Sequence, residues 1–163
     1  MKRISVLILL VIACVCFTEN VFAQTAKAKK VAVYVQGKID NEDKSIINSA
    51  FLARMSGNSD YAPFERNEAF LTALTKEHDF QISDEVPDSE IRKVGTRLGV
   101  DYVIVVNVIV ASDGKWHITA ELLDLETGAI LKTVKQHREC FDSGELSNFA
   151  SNVAYRLLNK KSR

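Results

Sequence analysis

The stretch from Gly99 to Leu131 organises the chain. Val103 to Val110 is apolar on both faces except at Asn107, the pattern of a strand buried in the middle of a sheet. Asp113-Gly114 follows, a hairpin signal, and predicts a tight type I′ turn, whose two central residues both need positive φ. The next segment alternates. Trp116, Ile118, Ala120 and Leu122 share one face, and His117, Thr119 and Glu121 the other. Thr127-Gly128 turns the chain into a third strand, from Ala129 to about Gln136, completing an antiparallel meander.

The flanking segments read mainly as helices. Lys30 to Val35 is a first strand, apolar on both sides and ended by Gly37. Asn41 to Ser56 carries Ile46, Ile47, Ala50, Phe51 and Met55 in one stripe at a 3.6-residue period. Tyr61 to Glu65 is a short edge strand or strand start, because Pro63 has no N–H to give a ladder. Asn67 is placed to cap a second helix that turns Phe70, Leu71 and Leu74 inward, with Glu68 in its first turn. Phe80 to Val86 reads as a loop. Pro87 and Asp88 open a third helix with Ile91, Val94 and Leu98 inward and Gly99 after its end. Ser143 to Leu158 is the last helix, with Leu146, Phe149, Ala150, Val153 and Leu157 on one face. The order β-α-β-α-α-β-β-β-α predicts an α/β (α+β) fold: a single mixed sheet of about five strands with helices packed on it.

The amino terminus changes the picture of where the protein works. Met1-Lys2-Arg3 precedes an apolar run from Ile4 to Phe17, shorter than the roughly 20 residues that span a bilayer. A basic start, a short apolar core and a small-residue exit form a secretory signal peptide over residues 1–23, with Val21-Phe22-Ala23 as the favoured cleavage site. The alternative is a lipobox, Val11-Ile12-Ala13-Cys14, in which Cys14 is lipidated and the product becomes an outer-membrane lipoprotein. Either route predicts an exported protein, periplasmic in the first case. After the signal comes a leader over residues 24–29 and one domain to residue 163, with no later segment able to span a membrane.

The chain has 21 basic and 21 acidic residues, and cleavage after Ala23 removes two of the first and one of the second. A neutral chain with no basic block argues against nucleic acid, whose binding rests on Lys and Arg contacts to phosphates. Catalytic motifs are lacking: no Gly-rich phosphate loop, no Gly-x-Ser-x-Gly elbow and no His-Glu-x-x-His helix, so no cofactor or metal is expected. Cys14 and Cys16 leave with the signal, so Cys140 has no partner for an internal disulfide. His137-x-x-Cys140 puts its two side chains on opposite faces of a strand, which disfavours a metal pair or a nucleophile–base dyad. Asp124 and Glu126 share a strand face as a possible acid pair, but a solvated turn is the preferred reading. Arg66, at a strand-to-helix corner, is a candidate for partner recognition, balanced against a role in fixing that corner.

Four motifs taken together resemble an envelope-protein superfamily that includes the curli-secretion component CsgG, the amino-terminal domain of TolB and the penicillin-binding-protein activator LpoB. Tyr61-Ala-Pro-Phe-Glu-Arg66 resembles its Val-Asp-Arg corner, and Glu77-His-Asp-Phe-Gln-Ile-Ser83 its Glu-x-x-Phe-Gln-x-Ser-Gly loop. Leu98-Gly-Val-Asp-Tyr-Val-Ile-Val106 resembles Leu-Gly-Ala-Asp-Tyr-Val-Val, and Glu121-Leu-Leu-Asp-Leu-Glu-Thr-Gly-Ala-Ile130 resembles Leu-Ile-Asp-x-x-Thr-Gly-Glu-Ile. The resemblance spans nearly all of the mature chain. It implies a small α/β domain that works in the envelope by binding proteins, without active-site residues. The expected function is that of a non-enzymatic accessory protein, with Arg66, Phe80, Gln81, Ile82 and Asp84 as the partner-binding residues. The alternatives are a lipid-anchored activator of a cell-wall synthase and a small exported enzyme using Cys140 and His137. Asp84 departs from the pattern, standing where the loop has Gly, and the chain has no long insertions from which to build a secretion pore.

Overall fold

The computed structural model describes residues 28–64, 67–78 and 87–159, with only the backbone for residues 75–78. The chain begins with β1 (Lys29–Gln36), α1 (Asn41–Met55), β2 (Tyr61–Pro63), α2 (Asn67–His78) and α3 (Asp88–Leu98). It continues with β3 (Tyr102–Val110), β4 (Lys115–Asp124), β5 (Ile130–Glu139) and α4 (Ser143–Leu158). The strands form one sheet in the order β2-β1-β3-β4-β5. β1 is parallel to both β2 and β3, and β3, β4 and β5 are antiparallel. The mixed α/β sheet with its antiparallel meander is as the sequence pattern predicts.

Helix starts and stops follow local chemistry. Asp40 and Asp142 cap α1 and α4, each accepting the N–H three residues on, Asp43 and Glu145, at 2.8 Å. Glu145 in turn accepts from the Phe141 N–H. α3 ends where Gly99 takes a left-handed conformation (φ 74°).

The two sheet faces are covered unequally. On one face α1 and α4 bury Ile47, Phe51, Met55, Leu146, Phe149, Val153 and Leu157 against Val31, Val33, Ile104, Val106, Ile118, Ala120 and Leu122. On the other, α2 and α3 bring Phe70, Leu74, Ile91 and Val94 onto Ala32, Val103, Val105 and Leu123. That second layer reaches only the first half of β3. Among the described residues nothing lies over the second half, and Ile109 is 67% exposed. The apolar run Val103–Val110 is therefore buried on both faces only in part: Ile109 and Val110 lie beyond the reach of a helix layer.

Two local expectations are corrected. The Asp113-Gly114 turn is not type I′, because Asp113 keeps a negative φ and only Gly114 is positive (79°). Gly114 N–H donates to the Ala111 carbonyl, and Ala111 N–H to that of Lys115. These bonds close a three-residue loop ending on a left-handed glycine. The Asp113 carboxylate meets the Lys115 ammonium at 2.7 Å. This contact, a hydrogen bond as well as an ion pair, holds the Asp113 carboxyl below its usual range.

Asn67 turns its carboxamide to β1 instead of capping α2. Its Oδ1 accepts the Val33 N–H at 2.9 Å, and its Nδ2 donates to the Val33 carbonyl at 3.3 Å. β2 pairs with β1 only as far as Val31, so the side chain supplies at Val33 the two hydrogen bonds that a longer β2 would make. Asn67→Ala removes both partners of a buried peptide and is expected to cost about 1–3 kcal/mol. Chemical denaturation measures the loss, and faster hydrogen exchange at the Val33 amide assigns it.

Candidate functional site

Two of the motifs that carry the family resemblance, Leu98–Val106 and Glu121–Ile130, prove to be turns and ties. The Asp101 carboxylate accepts the Lys30 N–H at 2.7 Å, pinning the start of β1 to the start of β3. The Asp124 carboxylate accepts the N–H groups of Glu126 and Thr127 at 2.8 and 2.9 Å, and Gly128 follows with φ 75°. Asp124 is thus occupied in shaping the β4–β5 turn, the solvated-turn reading of the Asp124/Glu126 pair.

Cys140 and His137 stand on different surfaces, as the strand period requires. His137 lies opposite His117 on the uncovered face, ring centroids 5.6 Å apart and nearly parallel. Cys140 packs at the margin of the α1/α4 core, and burial pushes its thiol pKa up, opposed by the nearby Arg138. A raised pKa depletes the thiolate, the nucleophilic form. Alkylation by iodoacetamide is therefore expected to run slower than that of a free cysteine at pH 8 and to keep rising above pH 9. A rate that levels off below pH 8 would instead mark an activated thiol. Among the described residues no three His, Cys, Asp or Glu side chains are grouped to hold a metal ion.

The feature with binding geometry is the uncovered half-sheet. Gln36, Asn107, Thr119 and Lys135 run side by side across β1, β3, β4 and β5. Gln36 Nε2 donates to Asn107 Oδ1, while Gln36 Oε1 is buried without a partner among the described residues. Beside this row lies a concavity of about 610 Å³, lined by Gly37, Asn107, Ile109, Thr119, Glu121 and Lys135 among others. An apolar side chain, amides, a hydroxyl and both charge signs meet there, a mixture suited to a polypeptide surface. Alternation predicted a polar face on β4, but nothing in the sequence said that α2 and α3 would stop short of it. Arg66, Phe80, Gln81, Ile82, Asp84 and Cys14 lie outside the described residues.

Similar folds occur among solved structures. PelC from Paraburkholderia phytofirmans, a dodecamer, matches with a TM-score of 0.52 and 15% identity, over 83% of this chain and 91% of its own. Lipoprotein GNA1162 from Neisseria meningitidis matches at 0.50 and 16%, over 83% and 99%. The chain shares its fold with these two proteins. The LpoB C-terminal domain from Salmonella enterica aligns over 78% of this chain and 92% of its own, with a TM-score of 0.49 and 11% identity. No protein-family model and no curated protein sequence matches the chain. The small α/β fold is the one that the four motifs implied. No helix among the described residues is long and apolar enough to cross a membrane.

Proposed function

We propose that the protein is an exported, non-enzymatic accessory protein of the cell envelope that binds another envelope protein. The observation that carries this reading is the half-open sheet. The domain completes two cores yet leaves, among its described residues, a face with Ile109, the concavity and the Gln36–Asn107 row uncovered. Exposed apolar surface rimmed by polar groups is characteristic of interaction sites. The fold, shared with envelope proteins, and the signal-like amino terminus support the compartment. The segment from Phe80 to Asp84 and Arg66 belong to the same proposal as further partner contacts.

Cross-linking in living cells through a carboxy-terminal tag, read by mass spectrometry, tests it. An envelope protein is expected in the cross-linked material, reduced by Ile109→Glu and unaffected by Cys140→Ser, which lies at the margin of the α1/α4 core. A folded, abundant protein that captures no partner would sink the reading. Anchoring through Cys14 is a second reading, favoured by the Val-Ile-Ala-Cys sequence and by the likeness to a lipoprotein. The intact mass of the native protein separates a lipid on Cys14 from a free chain beginning at Gln24.

A further inference from the structure

The two edges of the sheet are treated in opposite ways. At the β2 edge the strand is three residues long and ends on Pro63, which has no N–H, and Asn67 occupies the next peptide of β1. That edge is closed to further pairing. β5 is ten residues long and ends the sheet, and among the described residues no strand pairs with its outer side. A strand of that length offers an edge of about 33 Å.

The β5 edge also has a definite chemistry. Lys132 and Arg138 lie along it on the α4 side and Lys135 on the open face, with Glu139 as the strand's one acid; the Lys132 ammonium donates to the Asn159 carbonyl at 2.6 Å, and Arg156 of α4 stands beside the Gln136 carboxamide. In a chain of zero formal charge this is a local concentration of cations. Exposed apolar side chains stand at both ends, Ile130 and Leu131 at one and Phe141, 84% exposed, at the other. A second copy pairing antiparallel about Lys135 would set Lys135 against Lys135 and Lys132 against Arg138, and like charges across strands are destabilising. An acidic strand meets no such penalty.

From these observations we infer that the outer edge of β5 is a strand-addition site for an extended acidic segment of a partner protein. Backbone hydrogen bonds supply the attachment, carboxylates answer the cations, and apolar residues near the segment's ends meet Leu131 and Phe141. The inference rests on the adaptor reading and names its surface.

The test uses the processed protein and three synthetic ten-residue peptides: one of repeating Val-Val-Glu-Glu, which puts carboxylates on both faces of a strand, its valine–lysine counterpart, and the glutamate peptide N-methylated at every second residue. Amide chemical shifts in β5 are expected to move with the glutamate peptide alone and to move less as salt is added. Lys135→Glu with Arg138→Glu should weaken binding on the order of tenfold. The corresponding glutamine double variant, intermediate in affinity, guards against an effect of misfolding. Equal response to both charged peptides, indifference to N-methylation, or no shift in β5 at millimolar peptide would overturn the proposal. So would a concentration-dependent dimer that the double variant abolishes, since a second copy would then own the edge. If cells still cross-link the envelope partner to the double variant but not to Ile109→Glu, the edge proposal fails while the adaptor reading stands. Absence of any partner in the unmodified protein strikes the adaptor reading itself.

Discussion

Gly37→Val is expected to cost about 3–5 kcal/mol of stability, among the largest single losses the fold can suffer. Gly37 ends β1 with φ 134°, a backbone conformation that side-chain-bearing residues rarely adopt. A Cβ built there falls 2.1 Å from the Val108 carbonyl oxygen and 3.1 Å from its carbon. Val108 cannot easily retreat, because β3 is held on both sides, by β1 and by β4. Urea unfolding monitored by circular dichroism measures the loss. Gly57→Ala is the control: nothing lies within 4 Å of its Cβ position and its φ is not positive, so a change under about 0.5 kcal/mol is expected. Similar stabilities for the two variants would mean that β1 and β3 do not approach as described.

Phe51→Ala is the second large effect, about 3–5 kcal/mol. Phe51 is fully buried on α1, within the cluster that joins α1 and α4 to the sheet. Removing its ring leaves a void between elements fixed by their own caps and ladders, so collapse around it is limited. Phe141→Ala removes the same ring from an exposed position and should change stability by less than about 0.5 kcal/mol. The pair separates a ring that holds the core from one that stands in solvent.

Much of the architecture was legible because periodicity reports which side of an element is buried. The stripes Ile47–Ala50–Phe51–Met55 and Leu146–Phe149–Ala150–Val153–Leu157 become the helix faces on the first core. Turn type was not legible at Asp113-Gly114. A two-residue and a three-residue hairpin loop both end on glycine, and only the pairing of Ala111 with Lys115 distinguishes them. The role of Asn67 was hidden for a related reason. A residue before a helix reads locally as a cap, whereas its partner, Val33, is 34 residues earlier. The uncovered half-sheet was least visible of all. Asn107 broke the apolar run of β3, but one polar residue did not reveal that the helix layer ends there. The sequence-derived binding residues Arg66 and Phe80 to Asp84 fall outside the described residues, so the candidate site rests on others.

The position of β1 has a consequence in time. It lies between β2 and β3, and its pairing with β3 joins Val31 to Tyr102, 71 residues further along. The meander β3–β4–β5 closes through short hairpins and can form early, whereas β1 must wait for most of the chain. Of the described strands, the first to leave the ribosome is Lys-Lys-Val-Ala-Val-Tyr-Val-Gln, an apolar segment able to pair with any open edge it meets. Until β3 arrives, this segment is an aggregation hazard, so safe folding depends on how quickly residues 37–110 follow it or on a chaperone that covers it meanwhile.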